Sequence, residues 1–182
     1  MKKLRQKLGI NLLKALTAEI ILTSFAVSSL LLSTSQPVFA AALTSTNVEP
    51  ATLISAETGT ATVTFTNANN MPGDGKIVVT FGSGYVLTAV ASNSGTCAGW
   101  DGSFTTSVSG QVVTITRSGG SALGLQALTC TIANVQNPLA TGTTGTYSIA
   151  TKTAAGDDID IDAAVTADTI TNGLLTSTSI TL

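Results

Sequence analysis

The stretch Leu123 to Val135 reads LGLQALTCTIANV, and its second half decides the fold class. Leu128, Cys130 and Ile132 alternate with Thr129 and Thr131, the period-2 pattern of a half-buried strand. Cys130 therefore points into a core. The other cysteine, Cys97, lies upstream beyond several strand-like runs. A bond between them would join elements that local pairing alone does not fix, and the chain reads as a β-sandwich closed around it.

Outward from that strand the same rhythm continues. Thr60 to Asn67 (TATVTFTN) sets Ala61, Val63 and Phe65 on one face and Thr62, Thr64 and Thr66 on the other. Lys76 to Phe81 aims Ile77, Val79 and Phe81 inward, and Tyr85 to Ala91 resumes the strand after Gly82-Ser83-Gly84. Asn93 to Gly102 is a glycine-punctuated loop carrying Cys97 and the sole tryptophan, Trp100. Ser103 to Val108 and Gln111 to Arg117 flank Ser109-Gly110, a connection suited to a tight hairpin. Gly145 to Thr153, Asp158 to Asp162, Ala163 to Ile170 and Leu174 to Leu182 follow as extended segments. Leu43 to Val48 is an edge strand ended by Pro50, which cannot donate to a ladder. With no helical periodicity between Ala41 and Leu182 and roughly nine to eleven short strands, the fold class is all-β, a two-sheet antiparallel sandwich.

The first forty residues read differently. Lys2, Lys3, Arg5, Lys7 and Lys14 precede the apolar run Ile20 to Leu32, and Val38-Phe39-Ala40 places small residues where signal peptidase needs them. This is the pattern of a helical secretory signal peptide over residues 1–40, leaving residues 41–182 as one domain. An uncleaved membrane anchor is the alternative, although the run falls short of the ~20 residues that span a bilayer.

Charge and cysteine usage narrow the role. Beyond residue 40 the cations are Lys76, Arg117 and Lys152, against nine acids. Such a surface repels phosphate backbones and anionic lipid, so neither nucleic acid nor membrane insertion is expected after signal cleavage. Two cysteines in an exported chain imply a disulfide, Cys97 to Cys130, and a secreted or cell-surface location.

The chain contains no histidine, which removes Ser-His and Cys-His nucleophile pairs and most catalytic zinc sites. A non-enzymatic protein without a cofactor is the expectation. The densest acidic run is Asp157 to Asp162, DDIDID. On a strand Asp158, Asp160 and Asp162 would share one face, about 6.5 to 7 Å apart, with Ile159 and Ile161 facing the core. That face is either a solvated edge or, with Asp168 or a loop carbonyl, a set of oxygen ligands for calcium. Trp100 either packs near the disulfide or contacts a glycan or partner.

The stretch GKIVVTFGSGYVL, followed by SGTCAGWDGSFTTSVSGQVVTITRSGG and the cysteine strand, resembles the immunoglobulin-like or fibronectin-like sandwich domains of secreted bacterial surface proteins. The likeness spans Thr60 to Thr169 and rests on strand rhythm and cysteine placement. It implies an extracellular structural or adhesive role, with self-association or other surface proteins and glycans as partners. A glycan- or calcium-binding module using Trp100, Tyr85 or the Asp158 to Asp162 face is the competing reading.

Overall fold

The structure, a computed structural model, describes residues 40–174. The expected signal peptide and the strand expected from residue 174 onward fall, but for one residue each, outside these. The described residues form an all-β fold of β1 (Ala41–Ala42), β2 (Thr44–Pro50), β3 (Thr58–Thr66), β4 (Lys76–Thr80), β5 (Gly95–Ala98), β6 (Ser103–Ser109), β7 (Val112–Ser118), β8 (Ala127–Gln136), β9 (Gly142–Thr143), β10 (Tyr147–Lys152), β11 (Asp158–Val165) and β12 (Thr169–Ile170).

Two large sheets share one core. The first runs β1-β11-β10-β4-β7-β6 and the second β2-β3-β8-β5, while β9 and β12 form a short ribbon. The ladders are antiparallel except for β1 on β11. The inward side chains are those that alternation selects: Ala61, Val63 and Phe65 on β3, Ile77 and Val79 on β4, Val113 and Ile115 on β7, and Leu128, Cys130 and Ile132 on β8, all buried. Each Val, Leu, Ile or Phe side chain removed from water here contributes about 1.5–3 kcal/mol, so this layer is a substantial part of the driving force for folding.

The bond Cys97–Cys130 forms, with S–S 2.05 Å, but it corrects one expectation. Cys97 and Cys130 are register partners on neighbouring strands β5 and β8 of one sheet, their Cα atoms 4.0 Å apart. Local pairing does fix their meeting, because the glycine-punctuated segment read as a loop contains β5. Tyr85 to Ala91 runs instead as turns tied to β8 by a single bridge, Val86 to Gln136. The hairpin turns one residue later than its sequence suggested: Ser109 pairs with Val112, and Gly110, at φ +58°, takes the first central position. That is where glycine belongs in a type II′ connection.

Bulges explain the remaining departures. In β8 the register against β3 slips between Ile132 and Val135, with Asn134 at φ +63°, so both apolar residues turn inward despite an odd spacing. In β11 a slip beside Asp158 has the same consequence for the acids. An extra residue flips every side chain beyond it to the opposite face. Ile159 and Asp160 are both buried, Ile161 is only half-buried, and the acidic run does not form one solvated face.

Candidate functional site

Three polar constellations stand out from the apolar core. The first is a chain of hydroxyls between the sheets. Tyr147 on β10 donates to Asp168 Oδ2 at 2.7 Å, and its oxygen lies 2.6 Å from the Tyr85 hydroxyl. Because the Tyr147 proton is engaged with the carboxylate, Tyr85 donates to Tyr147. Phe81 packs edge-on against both rings, at 5.2 and 5.9 Å. Burial pushes both phenols up, Tyr147 strongly, so each remains a donor. Burial likewise raises the Asp168 carboxyl, with the Tyr147 hydrogen bond opposing and the Glu49 charge adding to the rise. The arrangement takes up a proton more readily than an ordinary aspartate.

The second constellation sits where β5 leads into β6. Arg117 follows Val113 and Ile115 on the inward face of β7 and is 1% exposed. Its guanidinium lies over the Trp100 ring at 5.0 Å, and its Nε donates to the Asp101 carbonyl at 2.8 Å. Nη2 pairs with the Asp101 carboxylate, which also accepts the Ser121 N–H. Hydrogen bonds from Ser121, ahead of Arg117, hold the Asp101 carboxyl below the usual range. Trp100 is turned into the fold at 8% exposure and stacks on Phe104, with centroids 6.2 Å apart. Its neighbour in charge is thus an arginine whose inward position the period-2 pattern of β7 already encoded.

The third is the acidic strand. Asp158 is exposed and pairs with Lys152. Asp160 is fully buried and accepts N–H groups from Ala68 and Asn69. Asp162 accepts the Thr46 hydroxyl at 2.6 Å and the Ala164 N–H at 3.0 Å. The three residues named as oxygen ligands are thus drawn into separate contacts. Among the described residues no group of three or more acidic, histidine or cysteine side chains is gathered as a metal would require.

Two open depressions flank Val86. One of about 540 Å³ is bordered by Tyr85, Leu87, Val90, Val108 and Gln111. The other, of about 480 Å³, is bordered by Gly84, Pro138, Leu139 and Thr143. Gln111 Nε2 donates to the Tyr85 carbonyl at 3.1 Å, joining two residues that border the first depression. Among the described residues no helix is long and apolar enough to cross a membrane. No family model, curated protein or solved structure matches this chain.

Proposed function

We propose that this chain is a non-enzymatic, extracellular structural module, exported by residues 1–40 and displayed as an immunoglobulin-like sandwich at the cell surface. The observation that carries this reading is what the buried polar side chains do. Asn67 binds the backbone of Asn69, Gly124 and Gln126, and Asn137 binds the carbonyls of Thr52 and Ile54. Thr106 accepts the Gly95 N–H, and Asp160 holds the loop after β3. Between them they fasten connections to the sheets, one connection to another, and β5 of one sheet to β6 of the other, the use that rigidity demands of a buried polar group.

The disulfide supports the exported location, since such bonds persist in oxidising compartments. Its placement within one sheet sets the domain apart from antibody domains, where the bond joins the two sheets. Thr60, Thr62, Thr64 and Thr66 on β3 and Thr129 and Thr131 on β8 point outward, giving an uncharged, hydroxyl-rich patch suited to close packing against a neighbouring surface.

Fractionation of cells producing the full chain tests the reading. The expected result is a chain shortened by about forty residues, oxidised, and recovered from the envelope or medium. A full-length, reduced, cytoplasmic protein would overturn it. Electron microscopy of the purified product then reports whether it assembles with itself.

A further inference from the structure

We propose that the fold contains a two-point mechanical clamp, β1 on β11 and Ile54 on Thr171, with the Cys97–Cys130 bond limiting extension once the clamp opens.

The first point is the β1–β11 ladder. Ala41 and Ala42 lie parallel to Asp160 and Ile161, and Leu43 donates its N–H to the Ile161 carbonyl at 3.2 Å. The Leu43 side chain is buried in the common core, and the Thr46 hydroxyl bonds Asp162 beside it. The second point is a parallel bridge between Ile54 and Thr171. There the Ser55 N–H donates to the Thr171 carbonyl and the Thr171 N–H to the Leu53 carbonyl, both at 2.8 Å.

Parallel pairing decides how these contacts meet a load. Tension entering before β1 and leaving after Thr171 drags each parallel pair past itself along its length. The hydrogen bonds lie across that direction and must fail together. In an antiparallel pair pulled from adjacent ends they would open one after another. Resistance to force is governed by the unfolding barrier, so simultaneous failure raises it without requiring greater equilibrium stability. Every other ladder among the described residues is antiparallel, which makes the parallel contacts at these two places a specific feature of the topology.

The disulfide adds a second stage. It closes a loop holding β6, β7 and parts of β5 and β8, with a sequence separation of 33. At about 3.3–3.6 Å per residue the bond withholds roughly 110–120 Å of chain after the clamp ruptures.

This inference extends the structural reading, yet pulling reads the fold alone; a failed clamp and a failed surface location are separate results. The oxidised chain from Ala41 to Leu182 carries one handle fused before Ala41 and another after Leu182, and is stretched between them. One all-or-none rupture is expected, and reductant added to the extended molecule then releases a further step of about 110–120 Å. Ala41→Pro and Thr171→Pro are each expected to lower the rupture force while the melting temperature stays close to wild type. A wild-type trace that peels in short steps before the main rupture overturns the clamp, as do two folded variants that rupture at the wild-type force. If a variant does not fold, the wild-type trace decides. The absence of a second step on reduction overturns the limiting role of the disulfide.

Discussion

Asn69 donates twice to the carboxylate of Asp160, from its backbone N–H at 3.1 Å and from its side-chain amide at 2.8 Å. The Ala68 N–H adds a third bond at 3.1 Å, and the acid is fully buried. The loop leaving the second sheet for the first is therefore fastened by an anion on β11. Its position is held in turn by the Asp160 N–H, which donates to Thr151 Oγ1.

Truncating that carboxylate leaves three donors without their acceptor, and because Ala68 and Asn69 are themselves exposed, water replaces part of what is lost. Asp160→Ala is expected to cost about 1.5–3 kcal/mol, and Asp160→Asn less, because the amide oxygen still accepts. Urea denaturation measures both. An unchanged midpoint for Asp160→Ala would show that the loop does not depend on the anion.

The tyrosine chain makes an ordered prediction. Tyr85→Phe removes only the terminal donor and is expected to cost about 0.5–1.5 kcal/mol. Tyr147→Phe strips Asp168 of its donor and Tyr85 of its acceptor, so its cost is larger, about 2–3 kcal/mol. Denaturation of the two single variants and the double variant tests this. Since both hydroxyls belong to one chain, the double variant should lose less than the two single losses combined.

These two sites show where the sequence was readable. Alternation placed the apolar faces of β3, β4, β7 and β8, and the same alternation, carried two positions past Ile115, puts Arg117 inside. The acidic strand defeated it because a single bulge beside Asp158 reverses the faces, and nothing in DDIDID marks a bulge. Asp168 and Tyr147 lie 21 residues apart in the chain, and only the return of the last segment onto the core brings them together. The disulfide was legible as a pair of residues but not as a pair of strands, since β5 is four residues long and hidden among glycines.

Two carboxyls with opposite shifts give the pH dependence its sign. Burial raises Asp168 above its ordinary value of 3.8, so its contribution is complete below that value and is lost as pH rises through its folded pKa. Asp168→Asn is therefore expected to melt higher than wild type at pH 7, with the gap closing as the medium is acidified. Asp101 is held below 3.8 by Ser121 and Arg117, so its contribution is present above that value and disappears as pH falls. Asp101→Asn should melt lower than wild type at pH 7 and converge with it in acid. Melting curves of the three proteins between about pH 3 and 7 check both signs; parallel curves would show that neither group is linked to folding.

The disulfide lends itself to a sharper test because the pairing around it is so local. β5 is an edge strand of four residues, and its ladder to β8 comprises Gly95–Ile132, Thr96–Thr131, Cys97–Cys130 and Ala98–Thr129. Gly95 also approaches the opposite sheet: a Cβ there would stand 2.7 Å from both Ile115 Cγ1 and Thr106 Oγ1. Without the covalent bond this short strand is held by one ladder, by the Thr96–Thr131 hydroxyl pair at 3.1 Å and by the Gly95 N–H to Thr106. In the chain-entropy description, closing a loop of this length contributes about 3–4 kcal/mol, so replacing both cysteines by alanine should lower the melting temperature by about 10–20 °C. Gly95→Ala in the oxidised protein forces β5 away from β7 and should cost about 1–3 kcal/mol by overpacking. If β5 detaches as a unit when the bond is absent, the two losses overlap, and the Gly95→Ala penalty shrinks in the cysteine-free background. Hydrogen exchange at Thr96 and Ala98 reports that detachment directly: rapid exchange only in the cysteine-free protein supports it, and equal protection in both would refute it.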